Sequence, residues 1–555
     1  MGANPVSMLT GGQALVESLR REDVTTIFGL PGVQLDWAFD ALYAERENIR
    51  VIHTRHEQAA AYMADGYARA TGQPGIFLVV PGPGVLNAAA ALATAYANNV
   101  PVLCLTGQIP SDLIGIGRGV LHEIDDQLGL LRHLTKWAAR ASTPGDIPHV
   151  IHEAFRQLRS GRPRPVAVEI PPDVLQMISE VRLGQPHEPE RLTGDPALLE
   201  VAAKTLGNAE RPLILAGGGI LSAQASDELQ AVAELLEAPV VMSTNGRGGL
   251  SDRHPLAFGQ LALPDLLADA DAILAVGTRV TDLVGQPLPV EFGRPLIRID
   301  ADPTQLNRTV RSTLPIVADA RLALADLAAR IGQHNRVRPS RRAELAALKR
   351  GIDDEVASAV PHGAFGRALR EALPDDGIVV GEMTQIDYWA RYGHAVYQPR
   401  TYLSAGYQGT LGAGFPTALG AQVAFPERRV VSLNGDGGFG FNANELATAV
   451  QHNIALTIVV FTDGAFGNVK GIQTQSFGGR LIASDLRNPS FARLAEVYGA
   501  NGRRAEGPEA FGAALREAFA TPGPTLIEVP VGVMPYPPFL RRVVAGLLRR
   551  TGTMT

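Results

Sequence analysis

The chain is predicted to be an α/β protein of three domains, each a mainly parallel sheet flanked by helices. Two observations carry that expectation. At 555 residues it is too long for one core, since domains usually run to roughly 100–200 residues. Short apolar runs bounded by Gly and Pro alternate with helical pattern, in a chain that is 46% hydrophobic and 19% charged, with 59 Gly and 39 Pro spread along it. That is the composition of many tight strand-to-helix turns.

The domains read as residues 1–185, 190–345 and 360–540. In the first, runs 76–80 and 102–106 have the continuous apolar character of buried parallel strands, and the unit ends near Pro165 to Pro172. The polar, Pro-bearing stretch 184–196 reads as a linker. The second domain shows strand candidates at 213–216, 272–276 and 296–300, each followed by Gly, Asp or Pro. A charged helical exit, 336–354, leads to a third unit near His362, with strands at 378–380, 430–433 and 456–461. No short tandem repeat is visible, yet the first and third units look like two copies of one architecture.

A net charge of −6 gives no basic footprint for nucleic acid, so small molecules are the expected partners. The single cysteine, Cys104, lies in the apolar run 100–105 and reads as a structural residue in a strand, which excludes a disulfide within the chain. Apolar stretches such as 88–97 fall far short of the ~20 residues a membrane span needs. With no charged-then-apolar leader, a cytoplasmic protein is expected. The basic amphipathic segment 539–550 reads as a solvated terminal helix, with a membrane-surface role the weaker alternative.

Two segments carry chemistry. Leu433-Asn434-Gly435-Asp436-Gly437-Gly438 follows an apolar strand and precedes a helical stretch containing Glu445, so its glycines expose backbone N–H groups to an anion. A second strand ends at Thr462-Asp463-Gly464-Ala465, and 463 minus 436 is 27, enough for strand, helix and strand to bring both acids to one sheet edge. Mg²⁺ favours near-octahedral oxygen ligands, usually one or two carboxylates plus phosphates. Asp436, Asp463 and a carbonyl near Ala465 suit it. The other segment runs from His53 to Arg69 and reads as a helix with small residues on one side. Its His56-Glu57 pair is not a zinc-protease motif, because Ala60 stands where the second His belongs.

Gly435-Asp436-Gly437 with a turn donor 27 residues on resembles the thiamine-diphosphate-binding motif, whose second ligand is usually Asn, so Asp463 is a departure. The 53–69 segment resembles the activating helix of the acetohydroxyacid (acetolactate) synthase group. The resemblance spans nearly all of residues 5–535. It implies a thiamine-diphosphate-binding fold for the first and third domains and a Rossmann-like central domain. It places Glu57 on the glutamate that shares a proton with the cofactor's pyrimidine ring, activating a cofactor that serves as electron sink. It puts Pro83 and Asn87 beside the pyrimidine and Gly409 and Leu411 in the segment that wedges the cofactor into its bent form. Gln385 falls in the diphosphate-contacting loop, while Gly435, Gly437, Gly438, Phe466 and Gly467 complete the cofactor set. The family's sites form between subunits, so a homodimer or homotetramer is implied.

Substrate choice is where the chain departs. His122 stands where the synthases carry Gln, and Gln34 stands where benzaldehyde lyase, which the 122–137 spacing also resembles, carries His. Both are candidates to donate to a developing oxyanion or shuttle a proton. Asn468 and Ile472 replace the Met and Trp that line the synthase pocket. Gly217-Gly218-Gly219 and Gly277-Thr278-Arg279 are compatible with a nucleotide and leave FAD open, though neither is a specific fingerprint. The leading expectation is a carboligase acting on a 2-oxoacid such as pyruvate. The alternatives are a benzaldehyde lyase-like acyloin lyase or 2-oxoacid decarboxylase and, from another class, a noncatalytic nucleotide-binding protein.

Overall fold

A computed structural model describes residues 6–189, 191–281, 285–288, 290 and 293–539. Among them are three six-stranded sheets, every pairing parallel. The first spans strands Thr26–Gly29 to Val166–Ile170, the second Pro212–Ala216 to Leu314–Val317, and the third Ile378–Gly381 to Thr525–Pro530. Their inner strands, such as Val102–Gly107 and Ala272–Val276, are buried throughout, because helices cover both faces and leave no polar side to the sheet. An antiparallel pair, Val6–Thr10 with Ile178–Arg182, ties the chain's start to the end of the first unit.

With strands numbered in chain order within each sheet, the first and third sheets both run 2-1-3-4-6-5, and the second runs 3-2-1-4-5-6. The expected duplication of architecture is thus a duplication of topology. The central order is that of a doubly wound dinucleotide fold. In such sheets the strand order reverses beside strand 1, and ligands bind outside the carboxyl ends at that point. In the third sheet it lies between Ile378–Gly381 and Val430–Gly435, so Glu382 and Asp436 emerge side by side.

The first and third units pack through helices Glu57–Thr71 and Gly414–Ala424. Gly414 through Val423 are all buried, as expected of a helix apolar on every side. The crossing is close enough to exclude any side chain: a Cβ on Gly66 would lie 1.9 Å from the Thr417 carbonyl oxygen, and one on Gly420 would lie 1.9 Å from that of Met63. One continuous apolar cluster therefore runs from Phe28 and Phe77 to Phe415, Phe439 and Ile458. Two arginines, Arg247 buried and Arg400 partly buried, fasten the units. Arg247 of the central unit donates to the carbonyls of Ala390 and Arg391 at 3.0 Å each and to that of His394. Arg400 donates to Arg69 O at 2.9 Å and Leu221 O at 2.6 Å.

The structure differs from the sequence reading in local ways. The 53–69 helix starts at Glu57: His53 ends a strand, and the His56 ring accepts from Gln58 N at 3.1 Å to cap the helix. The helix after the Asp436 turn is broken into Asp436–Phe439, a 3-10 turn Ala443–Glu445, and Leu446–Gln451. Strands such as Val240–Met242 and Tyr402–Leu403 are too short to show periodicity. Edge strand Leu314–Val317 carries Pro315, tolerated where no ladder hydrogen bond is needed. Cys104 is fully buried on its strand, where burial pushes its thiol up. No helix among the described residues is long and apolar enough to cross a membrane. Of the basic terminal segment, residues 540–550 lie outside the described residues.

Candidate active site

The third sheet presents Asp436 and Asp463 at the ends of adjacent parallel strands, Val430–Gly435 and Thr457–Thr462. The Asp436 carboxylate accepts from Gly437 N at 3.0 Å, Gly464 N at 2.9 Å and Asn488 Nδ2 at 3.3 Å. Asp463 accepts from Ala465 N at 3.1 Å. Burial raises Asp436 above the usual carboxylate range, and burial together with the facing Asp436 pushes Asp463 up to about 6. Two acids that resist ionising beside each other are relieved by a divalent cation, and with a backbone carbonyl they make the oxygen-rich donor set that Mg²⁺ takes. The residues fit the ion. The Phe466 ring lies against Gly437, 2.7 Å from where a Cβ would stand. Phe466 N donates to Ser484 O at 2.8 Å, and helix Gly467–Ser476 begins there.

A residue the sequence reading missed sits behind this turn. Glu382 follows strand Ile378–Gly381 and is 1% exposed, with Oε1 accepting from Gly412 N and Oε2 buried without a partner. A Cβ on Gly438 would stand 2.5 Å from its carboxyl group, so any side chain there would displace that carboxyl. Burial pushes Glu382 up to about 8, the amides of Gly412, Ala413 and Gly414 opposing. The carboxyl group thereby holds the loop bearing Gly409 and Leu411. The same loop touches Met383, 3.3 Å from a Cβ on Gly409, and the Thr410 hydroxyl lies 3.2 Å from that of Thr94. An acid directly after an apolar strand at the sheet's carboxyl edge was the available signal.

The first sheet gathers the other candidates at its own carboxyl edge. Asn87, in the second turn of helix Pro83–Asn98, donates to Glu57 Oε2 at 2.9 Å. Gln34, buried in the turn Val33–Leu35, meets His122 Nδ1 at 3.0 Å through Oε1. His122 takes a left-handed backbone, φ 68°, in a loop rather than a helix, and its carbonyl oxygen lies 2.3 Å from where a Cβ on Gly82 would be. The Pro83 turn, Gln34 and His122 therefore belong to one group. Glu57 is only partly buried in the single chain. Direct links to the third unit run from Gln58 to Asn442 at 3.3 Å and from Arg55 N to Glu445 at 3.0 Å.

On the far side of the Asp463 turn, Asn468 accepts from the Tyr536 hydroxyl, and Gln385, first residue of helix Gln385–Gly393, is within hydrogen-bonding reach of the same hydroxyl. Ile472, one turn beyond Asn468, is 43% exposed. A separate cavity of about 340 Å³ opens at the carboxyl edge of the central sheet, lined by Gly217, Gly219, Gly277, Arg162, Arg279 and Arg400 among others.

These features match known proteins along the whole chain. Family models for thiamine pyrophosphate enzymes match three segments: the N-terminal TPP-binding domain over residues 9–130, the central domain over 199–327 and the C-terminal TPP-binding domain over 380–529. The chain belongs to the thiamine-pyrophosphate-dependent enzymes. It is 34% identical to a probable acetolactate synthase large subunit of Methanocaldococcus jannaschii, across 96% of this chain and 94% of that protein. It is 32% identical to the acetolactate synthase isozyme 3 large subunit of Escherichia coli, across 93% of each. Within the family it is thus an acetolactate synthase-like enzyme. It is also 37% identical to a probable 2-ketoarginine decarboxylase of Pseudomonas aeruginosa, across 95% of this chain and 94% of that protein.

Proposed function

We propose that the protein is a carboligase that decarboxylates a 2-oxoacid such as pyruvate and joins the remaining fragment to a second carbonyl. The observation that carries this reading is the Glu57–Asn87 pair: an acid able to hold and return a proton, oriented by an amide at 2.9 Å, in a chain resembling acetolactate synthases from end to end. When bound, thiamine diphosphate supplies the electron sink that stabilises a carbanion next to the former carbonyl.

The chain's residues do the rest. Asp436, Asp463 and the Ala465 carbonyl would hold Mg²⁺; Gly435, Gly437, Gly438, Gln385, Phe466 and Gly467 would hold the diphosphate. Pro83, Gly409 and Leu411 would flank the pyrimidine, and Glu57 would exchange a proton with it. Gln34 and His122, already hydrogen-bonded to each other, donate to the substrate oxygen as charge develops on it. Glu57 needs a water-excluding cover that the single chain does not provide, and Leu86, Leu121 and Phe441 are each more than half exposed. Apolar side chains left bare beside a half-site mark an interface, which supports a homodimer, or a homotetramer built from dimers, with sites at the subunit boundary. The arginine-lined cavity suits an anionic nucleotide such as FAD.

A second reading, simple decarboxylation or acyloin cleavage, is favoured by Asn468 and Ile472 and by the 2-ketoarginine decarboxylase relative. Incubation with pyruvate, Mg²⁺ and thiamine diphosphate separates them. The carboligase forms acetolactate or acetoin, whereas free aldehyde and CO₂ alone select the second reading. Glu57→Gln is expected to slow either reaction by ~10²–10⁴-fold.

A further inference from the structure

Behind the Gly82 turn lies a buried polar network that no part of the reaction described so far uses. Its centre is the Glu169 carboxylate, fully buried on strand Val166–Ile170. Oε1 accepts from Arg140 Nε at 2.5 Å, while Oε2 accepts from Gln127 Nε2 at 2.9 Å and Gln108 Nε2 at 3.2 Å. These donors replace the water that a buried carboxylate has lost.

Gln127, the buried first residue of helix Gln127–Leu134, turns that anchor toward the site. Its amide nitrogen carries two hydrogens, and both are donated, one to Glu169 and the other to Gly107 O at 3.0 Å. The amide oxygen is thereby fixed on the opposite side, where it accepts from Gly82 N at 2.8 Å. Both backbone partners carry active-site candidates. Gly82 precedes helix Pro83–Asn98, which bears Asn87, the partner of Glu57 at 2.9 Å. With a left-handed φ of 58° it also lies against the His122 carbonyl. Gly107 ends strand Val102–Gly107 and backs onto Gln34, whose Cβ lies 3.2 Å from where a Cβ on Gly107 would stand. The Glu57–Asn87 and Gln34–His122 pairs thus rest on one side-chain amide.

We propose that Gln127, locked by Glu169, is a positioning residue that sets these two pairs relative to each other. The proposal rests on the reading of both pairs as active-site groups. Gln127 is enclosed by protein, so it acts through Gly82 and Gly107 and does not touch the substrate. Without its amide the turn and the strand end lose their common tie, and a misplacement of about 1 Å can cost ~10²-fold in rate.

The test uses Gln127→Met, which removes the amide from an unbranched side chain, and Gln127→Glu. In the apo-protein, hydrogen exchange at the Gly82 amide should quicken about fivefold to tenfold in Gln127→Met. In the holoenzyme with Mg²⁺, thiamine diphosphate and pyruvate, the same variant should lose about tenfold to hundredfold in kcat, with KM held within about twofold. Gln127→Glu keeps an oxygen for Gly82 and can donate to Glu169 only while a proton lies between the two carboxyls. Its kcat relative to the native enzyme at the same pH should therefore recover as the pH falls, with no such recovery in Gln127→Met. A lowered melting temperature with kcat and KM unchanged marks a merely structural role and overturns the proposal. So do unaltered Gly82 exchange in Gln127→Met and failure of both variants to fold. Absence of turnover by the native enzyme with every 2-oxoacid would sink the carboligase reading instead, and Gly82 exchange in the apo-protein then decides the proposal by itself.

Discussion

Replacing Glu382 with Gln should change how the apo-protein's stability depends on pH. The carboxyl group is 1% exposed, and burial lifts it from an ordinary 4.5 to about 8. At ~1.4 kcal/mol per pH unit, ionising it in the fold costs up to ~5 kcal/mol. The folded protein keeps this proton at a pH where the unfolded chain has released it, so raising the pH favours unfolding. The group's contribution is fully present below about 4.5 and is lost as pH rises to about 8. Between pH 6 and pH 8 the loss integrates to ~2 kcal/mol. Glu382→Gln keeps an oxygen to accept from Gly412 and removes the charge, leaving a constant offset of ~1 kcal/mol for the changed group at the partnerless Oε2 position. Urea unfolding of both apo-proteins at pH 6 and pH 8 reads the effect as a difference of differences. The variant should gain on the native protein by ~2 kcal/mol at the higher pH. A stability gap that stays constant between the two values would refute the argument that Glu382 is held protonated by burial.

Two further outcomes follow from the same geometry. Gly420→Val puts methyl groups where a Cβ already lies 1.9 Å from the Met63 carbonyl oxygen, so it should cost ~3 kcal/mol and lower the melting temperature, whereas an unaltered melting curve would remove the close crossing. Mg²⁺ must displace the proton that Asp463 holds up to about 6, so calorimetric Mg²⁺ affinity in the presence of thiamine diphosphate should fall up to about tenfold per pH unit below that value. Asp463→Asn should flatten this dependence, and an equally steep one in the variant would exclude Asp463 as the titrating ligand.

What could be read in the sequence was whatever a short span encodes. The Asp436 turn and the Asp463 turn announced themselves because an anion-facing loop needs glycine and a hard cation needs oxygen at strand ends. The parallel strands were legible where four or more apolar residues ran together, as at Val102–Gly107, and invisible where the strand is only three residues long, as at Val240–Met242. Glu382 and Tyr536 were missed because their meaning lies in distant partners: Glu382 answers to Gly412 and Gly438, and Tyr536 to Asn468, 68 residues away. Around each, the local sequence looks like an ordinary turn or a proline-rich tail. His122 was recognised as a candidate from its position, but its pairing with Gln34 is 88 residues long-range and follows from the sheet bringing two loops to one edge.

The reciprocal contact of Gly66 with Thr417 and of Gly420 with Met63 has a consequence for how this protein can change. Each glycine is the space that the other helix's backbone occupies, so neither position can drift independently: enlarging one pushes the helices apart and opens a gap at the other. The two sites should vary together or not at all, as a lock and its key are recut as a pair.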